Sequence, residues 1–299
     1  MKTINFITTL VLITFTFNVF SQETPVKRIK ISDFLLYSGT SFERTNRGML
    51  NDFKALAPES ELLKQEMLIV NKNQGYSYMT NNNFSVLVGF QFSDKDRNDY
   101  RPNPLLRLGL TYSSGSSLSS YNYGDIRSPF DTLTSSLTGE ETYIDSIYAE
   151  YYSMNYESQQ IQVNASMIFR TDPEERWSIF SGIGFTAGVS INANTSIHYS
   201  SEEWKEVIQN NTAYSNNNYQ RRNSIENEFE FFTNKTNYGF SAYIPLGVDF
   251  RIGKKKEFWK KTHLFYEVQP TLSFNTIPEL ETMNKVNFRH GFGMRVNFN

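Results

Sequence analysis

His198, Ser200 and either Glu202 or Glu203 bring a base, a hydroxyl and a carboxylate into one short stretch. Such a set can attack an ester when the base takes the hydroxyl proton and the carboxylate orients the base. In an extended segment, alternate positions share a side. By that count His198 and Ser200 fall on the same side as the polar residues of the strand preceding them. A second group of ionisable residues is scattered: Arg107, Arg170, Asp249, Arg251, Glu267, Arg289 and Arg295. Each occupies a polar position of an alternating segment, so all seven share one interior if those segments close on each other. An unpaired buried charge is costly, which predicts that they pair. Metal chemistry has little to work with, because the chain holds three His (His198, His263 and His290) and no Cys. Parity turns His290 to the apolar side, and no metal or cofactor is expected. Gly182, Gly184 and Gly188 lie in a strand pattern, where they signify close packing or curvature and not a phosphate loop.

The elements that must position these residues are strands. From Asn287 to Asn299, Phe288, His290, Phe292, Met294, Val296 and Phe298 alternate with Asn287, Arg289, Gly291, Gly293, Arg295 and Asn297. One face is apolar and the other strongly polar. The same rhythm runs through Tyr238 to Ile252, His263 to Asn275, Trp177 to Asn194, Gln160 to Arg170, Leu106 to Tyr112 and Phe84 to Phe92. A first segment, about Ile31 to Phe42, alternates less cleanly because Leu35 and Tyr37 flank Leu36. Each good segment is long enough, at about 10 residues, to cross a bilayer when tilted. The reading is therefore an all-β fold, an eight-stranded antiparallel up-and-down transmembrane β-barrel, with apolar side chains outside and polar ones within. Pro245 and Pro270 lack a ladder donor, and Pro270 is expected to sit at a local bulge.

Composition agrees. The 299 residues include 25 Phe and 18 Tyr, yet mean hydropathy is -0.48. A barrel reconciles the two, because only alternate strand residues meet lipid. The formal charge of -2 gives no reason to expect nucleic acid. Residues 1–21 read as a cleaved signal peptide, with Lys2, an apolar run from Phe6 to Phe20, and small Val19 and Ser21 before Gln22. Residues 22–299 would then form the barrel. The basic cluster of Lys254, Lys255, Lys256, Lys260 and Lys261 reads as a turn beside anionic headgroups.

An even strand number places both termini on one side, in the periplasm. The turns on that side are short. The far side carries loops 43–82, 113–159 and 195–237 and the brief 276–285. The first long loop contains Met49, Leu50, Phe53 and Leu56 at helical spacing, with Asn46 as a cap and Pro58 as a stop. That predicts one short helix on the barrel mouth or in the lumen. The other two long loops, rich in Ser, Asn and Tyr, resemble flexible recognition surface more than a packed domain.

On these residues the chain resembles the outer-membrane β-barrel proteins of Bacteroidota, which include small barrel subunits of gliding-type secretion systems. The likeness is carried by Val19-Phe20-Ser21-Gln22, the aromatic-rich strands, and the closing Gly291-Phe292-Gly293-Met294-Arg295-Val296-Asn297-Phe298. Phe298 is similar to the terminal aromatic that outer-membrane assembly machinery recognises. Asp131-Thr132-Leu133 and Asp145-Ser146-Ile147 are similar to the O-glycosylation signal of secreted proteins of that group. His198-Tyr199-Ser200 resembles the His-x-Ser of outer-membrane lipid A deacylases, although Ser201 stands where their Asn follows.

Together these features predict a non-enzymatic outer-membrane protein that presents external loops for binding or serves as a subunit of an envelope complex. A narrow porin-like conduit and a barrel-mouth lipid hydrolase are the alternatives. The expected partners are outer-membrane lipid, the assembly machinery and an envelope protein met through the long loops.

Overall fold

The computed structural model describes residues 29–46, 48–68, 76–94, 99–171, 175–209, 212–214, 222–253, 255–280 and 282–298. The predicted signal peptide lies outside the described residues. The strands are β1 (Ile29–Asn46), β2 (Tyr76–Asp94), β3 (Asp99–Thr134), β4 (Glu141–Arg170), β5 (Trp177–Gln209), β6 (Thr212–Tyr214), β7 (Asn223–Thr233), β8 (Tyr238–Tyr243), β9 (Leu246–Arg251), β10 (Thr262–Thr276) and β11 (Met283–Asn297). Two short helices accompany them, α1 (Leu50–Leu56) and α2 (Glu257–Lys261).

Antiparallel pairing runs from β1 through β5 to β8 and β9, then to β10 and β11, and returns from β11 to β1. β8 and β9 are two halves of one crossing, so the ring has eight strands. Closure leaves the ring with no open edge, so its backbone groups are satisfied between neighbouring strands. Along β4 from Tyr152 to Arg170, even residues are buried and most odd ones exposed. The exposed set around the ring includes Leu108, Leu110, Val163, Phe169, Ile183, Phe185, Phe240, Leu272, Phe288 and Phe292. An apolar belt of this kind suits hydrocarbon. No helix among the described residues is long and apolar enough to cross a membrane.

The predicted bulge at Pro270 is absent. The β10–β11 register passes through Pro270↔Phe288 without a shift. The ladder is interrupted instead on the neighbouring crossing, at Ile244 and Pro245. Register survives there too, with Tyr243 opposite Thr271 and Leu246 opposite Val268. The Ile244 N–H donates to Pro270 O at 3.1 Å and the Gly182 N–H to Pro245 O at 3.1 Å. Each proline therefore deletes only the return bond of its pair, which needs no extra residue. The blurred alternation of β1 has a different cause. A register shift between Ile31 and Asp33 resets parity, and Leu35 and Tyr37 then point inward.

The described parts of the second and third long loops are mostly paired strand, contrary to the expected flexible surface. β3 and β4 remain paired from Leu105↔Ile168 out to Thr134↔Glu141, and β5 continues beside β4 to Ile208. The hairpin turns at Ser135–Glu140, where the Ser135 N–H donates to Glu140 O at 2.8 Å and Gly139 takes a φ of 70°. Polar outer positions hid a second alternation, whose inner members are Tyr152, Met154 and Tyr156. The helix of the first loop is present. Its cap is Met49 rather than Asn46, which belongs to β1, and Asp52 accepts the Met49 N–H at 2.7 Å.

Candidate functional site

The lumen is filled in layers. At the end that carries both described termini, Asp249 gathers three neighbours: Arg295 Nε donates to it at 2.9 Å, His263 Nδ1 lies 2.5 Å away, and Arg170 Nη2 stands at 3.9 Å. Asp33 adds a carboxylate 3.6 Å from Arg295 Nη1. The next layer is largely apolar, built from Leu35, Tyr37, Leu87, Leu105, Ile168, Phe180 and Phe265. Arg107 lies within it, paired with Glu267 at 3.1 Å, its guanidinium 4.9 Å from the Phe180 ring centroid. Such a stack and a paired carboxylate together offset the loss of water. Rings cover the glycines opposite them on the neighbouring strand: Phe265 covers Gly293 and Phe180 covers Gly247, where a Cβ would collide. Toward the opposite end, Lys285 pairs with Glu43 at 3.1 Å and donates to Ser117 O at 2.7 Å. Here a polar cavity of about 40 Å³ is lined by Ser41, Glu43, Asn81, Asn83 and Arg289 among others. That is room for only a few waters.

Of the seven predicted lumen charges, Arg170, Asp249 and Arg295 form one cluster and Arg107 and Glu267 another. Arg289 is buried beside the cavity, and Arg251 is half-buried at the end of β9, opposite His263. Sequence reasoning missed Asp33, Glu43, His263 and Lys285 as members. Glu43 and Lys285 have inward parity, but both fell just beyond the predicted strand ends. Phe298 is exposed after β11 and its N–H donates to Ser32 O at 2.9 Å.

The ester-attacking set does not assemble on the inward side. β5 gains a residue at Ile191, between the pairs Gln159↔Asn192 and Gln160↔Ser190. Even positions point inward below that bulge and odd positions above it, so Ala193, Thr195, Ile197, Tyr199 and Ser201 are buried. His198 and Ser200 therefore face outward. The His198 Nε2 partner is Asn227 Oδ1, at 2.7 Å. A bulge by its nature reverses parity beyond it, and nothing in the local residue types marks this one. His290 does face outward, stacked on Phe42 at 5.5 Å. The described residues hold no group of three or more His, Asp or Glu placed for a metal.

The largest apolar core lies above the barrel. Phe53, Leu56, Ala57, Leu62 and Leu63 of the first loop pack against Leu118, Tyr152, Met154, Tyr156, Ala193, Ile197, Tyr199 and Ile277. A seven-residue helix is unstable alone. Burying each large side chain contributes about 1.5–3 kcal/mol, so this contact holds α1 in place. Polar bonds add direction. Glu230 of β7 accepts the Glu61 N–H at 3.0 Å and the Ser60 hydroxyl, and Asn234 Nδ2 donates to Leu56 O at 2.7 Å. Burial pushes the Tyr152 and Tyr199 phenols well above their ordinary range. Outside the core, Tyr121, Tyr123 and Tyr151 form a ring cluster on the outer face, with centroids 5.1 and 6.4 Å from Tyr151.

Fold and site together define a closed transmembrane β-barrel whose strands continue into a packed sheet beyond the end opposite both described termini. No family profile and no curated protein matches the chain. Among solved structures it is similar to Neisserial surface protein A, at 10% identity over 89% of this chain and 97% of that one, with a TM-score of 0.29. It is also similar to Ail, the attachment invasion locus protein of Yersinia pestis (11% identity, 89% and 99% covered, TM-score 0.24). A further likeness is to the Ralstonia pickettii toluene transporter TbuX (8% identity, 90% and 90% covered, TM-score 0.18). At these scores the likeness decides nothing, and the barrel rests on the closed ladder of this chain.

Proposed function

We propose that this chain is an integral outer-membrane protein without enzymatic activity, whose barrel carries a rigid external platform that binds a partner. It does so as a surface-binding protein or as a subunit of an envelope complex, the role implied by its resemblance to the Bacteroidota barrels. The observation that carries the reading is the core formed by α1 and the following turn against the extensions of β3, β4 and β5. A chain that needed only a membrane anchor would gain nothing from about 20 further residues per strand above the span that a bilayer requires. Trp177 and Phe250, 4.5 Å apart with Arg176 over the ring, mark the opposite interface, beside the exposed Phe258 and Trp259 of α2. Aromatics at that level suit a headgroup boundary.

Orientation is directly testable, because the chain has no Cys. Leu137, at the hairpin tip, is 96% exposed. Leu137→Cys should react with a membrane-impermeant maleimide on intact cells, and Lys260→Cys only after the outer membrane is permeabilised. The reverse pattern would sink the reading. Binding is tested by isolating the protein from solubilised outer membrane, where a stoichiometric partner is expected.

One observation favours a second reading, a narrow conduit: the polar cavity beside Arg289. The layer of Leu35, Phe180 and Phe265 beneath it weighs against passage. Planar-bilayer recording separates the two, since a conduit conducts steadily and a filled barrel does not. The non-enzymatic reading expects purified protein to leave lipid A and phospholipid esters intact.

A further inference from the structure

β7 is the outermost strand of the external sheet. One edge pairs with β5 from Asn194↔Thr233 to Glu203↔Asn223. Among the described residues no strand pairs with its other edge. The Asn234 N–H donates to Ala193 O at 2.8 Å, which sets the alternation. From Glu226 onward the even positions of β7 bond to β5, while Asn227, Phe229 and Phe231 turn their backbone N–H and C=O groups to the open side. Natural edges are usually guarded by charged side chains, Lys above all, by Pro, or by bulges that twist the edge away. Between Asn223 and Thr233 there is neither Lys nor Pro; the guards present are Glu226, Glu228 and Glu230 and a bulge at Ile225, which leave the stretch from Asn227 to Phe231 regular.

The two faces beside that edge differ. On the outer face, Phe229 is 62% and Phe231 58% exposed. On the inner face stand Glu226 and Glu228, both exposed, next to Glu230, which is committed to the first loop. Glu59 and Glu61 of that loop lie with Glu230 around Lys64, which pairs with Glu61 at 2.7 Å. Pairing of β7 with β7 of a second copy about a two-fold axis would set these carboxylates against each other, which is unfavourable. A segment carrying basic residues at alternate positions would meet them favourably.

We infer that the open edge of β7 is a strand-addition site for an extended polypeptide segment of a partner protein, with basic side chains on one face and apolar ones on the other. Main-chain bonds to Asn227, Phe229 and Phe231 supply the affinity. Glu226 and Glu228 select the basic face, and the two phenylalanines take the apolar one. This deepens the platform reading and rests on it.

The test uses full-length protein in phospholipid nanodiscs and a labelled eleven-residue peptide of alternating Lys and Val, followed by fluorescence anisotropy. Binding is expected, and an alternating Glu–Val peptide should not bind. Glu226→Gln with Glu228→Gln should weaken binding at least tenfold. N-methylation of alternate peptide amides should abolish it. So should Phe229→Pro, which removes an open-edge donor without touching a bond to β5. If the N-methylated peptide binds as well as the parent, attraction is only electrostatic and the inference fails; this arm stands even if Phe229→Pro does not fold. Failure to bind the Lys–Val peptide also overturns it. Neither result bears on the platform reading, which the Leu137→Cys labelling decides separately.

Discussion

Arg107 and Glu267 meet at 3.1 Å near the middle of the barrel, with side-chain exposures of 2% and 5%. Arg107 enters from β3 and Glu267 from β10, so the pair spans the lumen. Removing one partner leaves the other charge buried and alone, which costs about 3–5 kcal/mol. Glu267→Ala should lower the midpoint of urea unfolding, followed by the shift in gel mobility between folded and unfolded barrel. Arg107→Met with Glu267→Leu should recover most of the loss. A double variant no better than the single one would mean that the pair contributes more than mutual neutralisation.

The glycines under the lumen rings give a second prediction. Phe265 lies over Gly293, and a Cβ there would overlap the ring. Overpacking of this kind costs about 1–3 kcal/mol. Gly293→Val should reduce the folded yield in detergent refolding, whereas Gly139→Val, at an open tip where only the φ of 70° is at stake, should leave the barrel itself intact.

Glu230 fastens the first loop. With Glu230→Ala, the Ser60 hydroxyl and the Glu61 N–H lose their acceptor. Loss of hydrogen bonds to a charged group costs about 1.5–3 kcal/mol. Cleavage by trypsin after Lys64 should accelerate by more than tenfold while the barrel ladder stays protected. Equal cleavage rates would show that the apolar packing of α1 alone holds the loop.

The external core should also respond to alkali. The folded state holds the Tyr152 and Tyr199 protons more tightly than the unfolded chain does. Their contribution is therefore complete below the ordinary phenol range, about pH 10, and is lost as pH rises above it. Exchange of amides in the extensions of β4 and β5 should accelerate, beyond the intrinsic alkaline rise, between about pH 10 and 12. The double substitution Tyr152→Phe and Tyr199→Phe should suppress that excess.

The barrel was readable because its signal is local. Alternation at Phe288 to Phe298 or Ile161 to Phe169 requires no knowledge of any distant residue, and a belt of lipid-facing side chains demands it in every crossing. The lumen was half readable. Parity found Arg107, Asp249 and Glu267 but could not say which charge meets which, since partners come from strands that are not neighbours in the ring: Asp249 and Arg295 are two strands apart, and Arg107 and Glu267 face each other across it. Glu43 and Lys285 escaped because the strands run past the point where the apolar face stops. Bulges defeated parity altogether, and the extra residue at Ile191 turned His198 and Ser200 from the inner face to the outer.

What the chain declared unaided was a two-residue rhythm, an apolar outside, a charged inside and a helix in the first loop. Each depends on neighbours along the sequence. The three-dimensional arrangement alone settled that Ser- and Tyr-rich stretches are paired strands, that α1 packs into the core of Tyr152 and Ile197, and that among the described residues no strand pairs with the far edge of β7. Those outcomes depend on hydrogen-bond ladders and packing between residues as far apart as Ser60 and Glu230, and pairing at such distance leaves no mark on the order of residues.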